Sequence, residues 1–323
     1  MTPDLIIAII ILGVFIVFII PLALVALYAY KRTFYMRKKR IDNSHAIPKS
    51  ASDMGVKDQM LELIDQLMAL ECEEIYISAF DKTKLYGRYY HVKDGAPILL
   101  YMHGYRSTPL RDFAKSGCAA IDGGYNLLLV DQRAHGESEG RCLSFGINER
   151  YDCLCWAEYL AKRFPESKII LHGISMGGAT VLMASELSLP ESVACIVADC
   201  PYSCPREIII RVTDNTLRLP GKLLFPVVWL GARIFGRFNV TAASPASAVG
   251  NSSIPILLIH GDADDFVPTY MSEVIYRGIP EGRGRLVKIK GADHAVAAVV
   301  GGEEYRRIMH DFIESSIKEK GDK

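Results

Sequence analysis

The sequence predicts an α/β protein, a mainly parallel sheet with helices on both faces, joined to one membrane-length helix near its N-terminus. Three observations predict it. Short apolar runs recur with helix-period segments between them, the pattern of strands buried on both faces by crossover helices. One run leads through Gly173-Ile174-Ser175-Met176-Gly177 straight into a small-residue helix start. Residues 5–30, LIIAIIILGVFIVFIIPLALVALYAY, carry no charged side chain.

That last stretch is long enough to span a bilayer, because at ~1.5 Å rise per residue it exceeds the ~30 Å hydrocarbon core and leaves room for tilt. A buried domain helix of this length would show a polar face. A cleaved signal peptide is the stronger rival, but the run is too long for an h-region, no Lys or Arg precedes it, and no clear small-x-small site follows it. Lys31, Arg32, Arg37, Lys38, Lys39 and Arg40 come directly after the run, whereas residues 1–4 have no basic side chain. The positive-inside rule then expects a single-pass protein with its main domain on the cytoplasmic side. The same cluster can hold anionic headgroups.

Residues 41–52 read as a polar linker containing Pro48. Over 53–70, Val56, Met60, Leu63, Ile64, Leu67 and Met68 recur at helical spacing, an amphipathic helix. The expected division is an anchor with basic flank at 1–40, linker and helix at 41–72, and one domain at 73–323. Within it, strands at 74–80 and 84–91, joined by Asp81 and Lys82, form an opening antiparallel pair. Further strands are expected at 98–102, 126–130, 168–171, 195–198, 256–259 and 285–289, with helices at 147–164, 176–187 and 303–318. Residues 202–253 break the alternation and include an apolar helical stretch, 223–235, with Pro220 before it and Pro226 inside it. So long a connection is rarely structureless. A helical lid over the strand ends is expected there.

Composition excludes some functions. With 37 basic and 37 acidic residues the formal net charge is +0, which gives no electrostatic footprint for a nucleic-acid partner. The 8 cysteines include no C-x-x-C pair, and Cys153 and Cys155 point to different faces of a helix-like segment. A domain of this size needs no disulfide staples, so free thiols in a reducing compartment are expected.

Gly173-Ile174-Ser175-Met176-Gly177 between a β-branched strand and a helix is a G-x-S-x-G elbow. Glycine flanks the serine because the turn leaves no room for a Cβ, while the serine itself is held strained and exposed. A serine hydroxyl is a weak nucleophile at neutral pH and needs a hydrogen-bonded base, itself oriented by a carboxylate. Beyond the elbow and the late carboxylates lie only His294 and His310. His310 falls inside the C-terminal helix. His294 follows the last strand at its C-terminal end, where ligands bind in open α/β sheets. For the acid, Asp262, Asp264 and Asp265 all leave the preceding strand, and Asp199 ends an earlier one. The oxyanion needs backbone N–H groups. Met176, next to the nucleophile, supplies one, and the His103-Gly104-Tyr105 turn places the Tyr105 amide near the elbow, with His103 supporting that loop.

Together these residues resemble the α/β-hydrolase superfamily, particularly its lid-bearing esterase, lipase and serine-aminopeptidase-like branches. The resemblance runs from about residue 73 to the C-terminus and rests on ordered motifs. These are His103-Gly104, then Asp131-Gln132-Arg133-Ala134-His135-Gly136-Glu137-Ser138, the elbow, His260-Gly261 with Asp264 and Val267-Pro268, and His294. It implies Asp264 as the acid of a Ser175–His294–Asp264 triad and the Asp131 segment as a structural loop beside the site. Ala134 departs from the glycine that relatives often carry. The function expected is hydrolysis of an ester or thioester with an apolar acyl part through an acyl-Ser175 intermediate, with no metal or organic cofactor. The substrate would be a small-molecule or lipid-like ester, and the membrane a partner through the N-terminal helix. A peptidase acting on small amides and a non-catalytic binding protein on the same fold are the alternatives.

Overall fold

The computed structural model describes residues 2–37, 47 and 55–321. Lys38, Lys39 and Arg40 of the basic cluster, and all of the expected linker except Ile47, lie outside the described residues.

The first helix runs over Pro3–Val14 (α1), a π-turn at Phe15–Ile19 and Ile20–Thr33 (α2). Pro21 lacks an N–H and would collide with the preceding turn, and the wider π-turn accommodates it. The whole element, Pro3–Thr33, is 31 residues, long and apolar enough to cross a membrane, and none of its most apolar stretch is buried. Lys57–Met68 (α3) is the amphipathic helix, and its Ile64 and Leu67 are fully buried. A Cβ on Gly117 would meet Leu67 Cδ2 at 3.4 Å, so α3 packs closely on the domain.

The strands are Glu73–Ser78 (β1), Lys84–Tyr90 (β2), Ile98–Met102 (β3), Asn126–Asp131 (β4), Ile169–Ile174 (β5), Val193–Asp199 (β6), Ile256–Gly261 (β7) and Gly284–Ile289 (β8). They form one 8-stranded sheet in the order β1-β2-β4-β3-β5-β6-β7-β8. β1 pairs antiparallel with β2, and β2 antiparallel with β4; all other pairs are parallel. The expected mainly parallel α/β class is therefore the observed one. β5 runs three residues beyond its apolar run of 168–171, because His172 and Gly173 pair with Tyr101 and Met102 on one side and with Val197 and Ala198 on the other.

Period-2 alternation divides the strands between two cores. Ile170, Val197 and Ile259 face Phe113 of Pro109–Asp122 (α4) and Tyr305 and Ile308 of Ala297–Gly321 (α11). Leu171, Ile196 and Leu258 face Trp156 and Leu160 of Glu149–Arg163 (α5) and Val181 of Met176–Ala184 (α6). The C-terminal helix starts before the expected 303–318 but breaks at Gly302 (φ 48°), so the expected segment is its second limb. The helix expected at 176–187 stops at Ala184.

Between β6 and β7 the expected lid region is helical: Pro205–Asn215 (α7), Gly221–Gly231 (α8), a π-turn at Ala232–Gly236 and Pro245–Ala248 (α9). Tyr270–Gly278 (α10) follows β7. A third apolar cluster joins these helices to the end of α2 and includes Tyr30, Phe34, Phe145, Met176, Tyr202 and Phe225.

Candidate active site

Ser175 sits between β5 and α6 with φ 55° and ψ −114°, outside the ordinary regions for a non-glycine residue. The neighbouring glycines explain how the turn closes. A Cβ on Gly173 would lie 2.2 Å from the Gly177 backbone, and one on Gly177 only 1.7 Å from the Met102 carbonyl oxygen. The Ser175 N–H donates to the Asp199 carbonyl at 2.8 Å, tying the turn to β6. Because backbone cannot yield there, Gly177→Ala is expected to destabilise the fold by roughly 4 kcal/mol or more, read as a large fall in thermal midpoint.

His294 and Asp264 meet this serine. His294 Nε2 lies 3.0 Å from Ser175 Oγ, and its Nδ1 lies 2.7 Å from Asp264 Oδ2. The other Asp264 oxygen accepts the Phe266 and Val267 amides at 3.0 and 2.8 Å. The loops carrying the two residues touch at Gly261, where a Cβ would lie 2.1 Å from the Ala292 carbonyl oxygen. Burial raises the Asp264 pKa, but the His294 and His260 imidazoles beside it outweigh this and hold it at about 2. Burial alone would lower His294; the Asp264 charge and hydrogen bond reverse that and raise it above its ordinary 6.5.

Of the alternative carboxylates, those of Asp262 and Asp199 are engaged elsewhere. Asp262 Oδ1 accepts the Gly291 amide at 2.6 Å, latching the acid loop to the loop of His294. Asp265 accepts Arg211 through its backbone carbonyl at 2.8 Å. Asp199 Oδ2 accepts the Tyr305 hydroxyl at 3.1 Å, and burial pushes this carboxyl up to about 6. His310 hydrogen-bonds Tyr125 at 3.1 Å, just ahead of the N-terminal end of β4, whereas Ser175 follows the C-terminal end of β5.

The loop after β3 approaches the elbow so closely that a Cβ on Gly104 would lie 3.5 Å from Ser175 Cβ. Asp112, in the first turns of α4, accepts the Gly104 amide at 2.7 Å and the Ser107 hydroxyl, and fixes that loop. Nothing in the sequence pattern marks Asp112 apart from the Thr108 cap that starts its helix. His103 is fully buried; its Nε2 accepts the Gln132 amide at 3.1 Å and its Nδ1 donates to the Gly104 carbonyl at 2.8 Å. Met176 begins α6 directly after Ser175, so its N–H has no helical carbonyl one turn back to bond. The Asp131 segment is held by its own bonds: Asp131 accepts the Glu137 amide at 2.9 Å, and Arg133 grips Asp152 with two contacts of 2.6 Å. Ala134 adopts φ 67°, the left-handed conformation that glycine takes at no cost.

A feature absent from the sequence pattern is what holds Tyr105 and Arg106. The Tyr105 hydroxyl donates to the Thr33 carbonyl at 2.9 Å, and Arg106 Nη2 donates to the carbonyls of Arg32 and Tyr35 at 2.9 and 3.2 Å. These are carbonyls at the C-terminal end of α2, where a cation also complements the helix dipole. Tyr35 bridges Cys142, Leu143 N–H donates to the Phe34 carbonyl at 2.9 Å, and Phe34 is fully buried against Phe145 and Phe238. Phe145 in turn accepts the Tyr202 hydroxyl through its carbonyl at 2.9 Å.

Among the described residues, Cys200, Asp264 and His294 place potential metal-ligand atoms within 4.8 Å of one another. Burial raises the Cys200 thiol well above its ordinary value, and Asp264 is already engaged by His294 and two amides. This donor set suits proton transfer better than a metal. A cavity of about 760 Å³ lies away from Ser175, between α3, α4 and α11, and is lined by Leu63, Lys115, Tyr125 and His310 among others.

Residues 99–218 match the family model for the alpha/beta hydrolase fold. The Bacillus subtilis protein YqkD is 26% identical over 249 residues, which cover 75% of this chain and 81% of that protein. YfhR of Salmonella typhi is 27% identical over 263 residues, 77% of this chain and 84% of the other. Among solved structures, the Pyrococcus furiosus esterase Pf2001 superposes with a TM-score of 0.65 at 22% identity, covering 77% of this chain and 93% of the esterase.

Proposed function

We propose, for a chain that belongs to the α/β-hydrolase superfamily, a serine hydrolase that cleaves an ester or thioester with an apolar acyl group. The observation that carries this is the continuous line Ser175–His294–Asp264, with contacts of 3.0 and 2.7 Å. His294 Nε2 takes the proton of Ser175 Oγ as the oxygen attacks the acyl carbon, and Asp264 stabilises the resulting imidazolium. The Met176 and Tyr105 amides receive the developing oxyanion. His294 then returns the proton to the leaving alcohol or thiol. In the second half, it draws a proton from water, which attacks acyl-Ser175, and passes that proton to Ser175 Oγ as the bond to the acyl group breaks and the acid is freed. Phe145, Met176, Tyr202, Val267 and Met271 belong to the apolar cluster beside the serine, which favours an apolar acyl chain.

A fluorophosphonate probe tests the reading: the wild type is expected to label and Ser175→Ala not to. A folded wild type that fails to label would sink it. Faster turnover of aminoacyl anilides than of p-nitrophenyl esters of increasing chain length would instead favour a peptidase. Since His294 acts as a base only when neutral, its raised pKa places the acid limb of kcat/KM above pH 6.5, with activity falling as the pH drops. A limb well below that value counts against His294 as base. The N-terminal helix serves as a single-pass anchor in the same proposal, with the domain on the cytoplasmic side. Digestion of the domain in sealed cytoplasmic-side-in vesicles would reverse that orientation.

A further inference from the structure

The lid and the membrane-length helix pack as one unit. A Cβ on Gly231 would lie 2.5 Å from the Ala26 carbonyl oxygen and 3.2 Å from Tyr30. The Tyr30 and Phe235 rings are 6.0 Å apart, and the Phe34 and Phe238 rings meet edge-on at 5.2 Å. Contacts rise in the same order along both segments, so residues 231–238 run beside 26–34 in the same sense. The earlier residues of α8 therefore lead back toward the spanning half of α2. At ~1.5 Å per residue, Leu223 lies roughly 12 Å further along than Gly231.

Beyond Lys222 in its first turn, α8 is apolar all round. Phe225 and Val228 are buried in the domain, while Leu223 is 74% exposed and Trp229 37%. Ile234 after the helix, and Leu217 and Leu219 before it, are about half exposed. The exposed cations Arg218, Lys222, Arg233 and Arg237 rim this face. The Trp229 indole N–H donates to Asn239 at 3.0 Å, and Arg233 lies 5.9 Å from its ring. An aromatic with one polar edge and one free apolar face suits the headgroup level of a bilayer. Arg218 and Lys222 have stems long enough to reach back to that level.

We propose that the exposed face of α8 is seated in the bilayer beside α2, with Trp229 at headgroup depth, Leu223 among the acyl chains and the cationic rim on anionic lipid. This rests on α1 and α2 crossing the membrane and deepens the substrate reading, because a lid seated in lipid admits an acyl substrate from the leaflet itself. The lid then covers the active site on the membrane side rather than on the aqueous side.

The chain has two tryptophans, and Trp156 is buried in the core at 1% exposure, so emission quenched by lipid reports Trp229. Full-length protein is reconstituted in phosphatidylcholine–phosphatidylglycerol vesicles whose acyl chains carry bromine near the glycerol end or near the methyl end. Bromine near the glycerol end is expected to lower Trp229 emission about twofold, and Trp229→Phe to abolish the effect. Leu223→Trp in the Trp229→Phe background is expected to respond more to bromine near the methyl end. Protein that floats with the vesicles yet is unquenched at every depth overturns the seated lid and leaves the anchor standing. Failure to float overturns both. Fluorophosphonate labelling of Ser175 reads the catalytic proposal separately.

Discussion

Ser175→Ala is expected to lower kcat on p-nitrophenyl esters by roughly 10⁶-fold with KM little changed, the scale at which loss of a serine nucleophile removes covalent catalysis. The substitution removes one oxygen from a residue only 8% exposed, and the strained turn is set by Gly173 and Gly177 rather than by the hydroxyl. Folding should therefore be unchanged, and circular dichroism and thermal midpoint serve as controls. A variant that retains a tenth of wild-type turnover would place the chemistry on another residue.

Asp264→Asn is expected to cost roughly 10⁴-fold in kcat, for a reason that the hydrogen bonds make specific. Two amides, those of Phe266 and Val267, point at Asp264 Oδ1 and require an acceptor there. The new amide must therefore keep its carbonyl oxygen on that side and turn its NH₂ toward His294 Nδ1. The imidazole is then held in the tautomer that carries its proton on Nε2, facing Ser175, and cannot take the serine proton. The loss of the neighbouring charge also removes what raises His294, so the acid limb of the residual activity should move to lower pH. A loss of less than tenfold, with the limb unmoved, would mean that Asp264 does not orient the base.

The sequence carries the central architecture because each signal is local or strictly periodic. Ile98–Met102 shows as a strand through five consecutive apolar residues, and it occupies those positions in the structure. The elbow shows through two glycines whose absent Cβ atoms are the geometry itself. The order of serine, carboxylate and histidine limited the candidates to few enough residues that the structure could bring three of them together. What stayed hidden depends on contacts distant in sequence. Asp112 fixes Gly104 from a helix whose pattern gives no hint of it. The ends of β5 depend on neighbours' registers rather than on its own hydropathy. Choosing among Asp262, Asp264 and Asp265 needed a resemblance, because all three leave the same strand and only the loop's turn decides which one faces His294.

If α1 and α2 anchor the chain in a membrane, as proposed, the grip of Tyr105 and Arg106 on the end of α2 also bears on how the domain could be released. Ordinarily, cutting the linker behind an anchor frees a catalytic domain. Here Phe34 is buried among the domain's own aromatic rings, Tyr35 is paired with Cys142, and three backbone carbonyls from Arg32 to Tyr35 accept side chains of the loop after β3. A protease site placed within residues 41–52 is therefore expected to yield two fragments that still float together on vesicles. Shedding would require prising Phe34 out of its pocket, and that withdraws support from the turn proposed to present the Tyr105 amide. Release and inactivation would then be a single event.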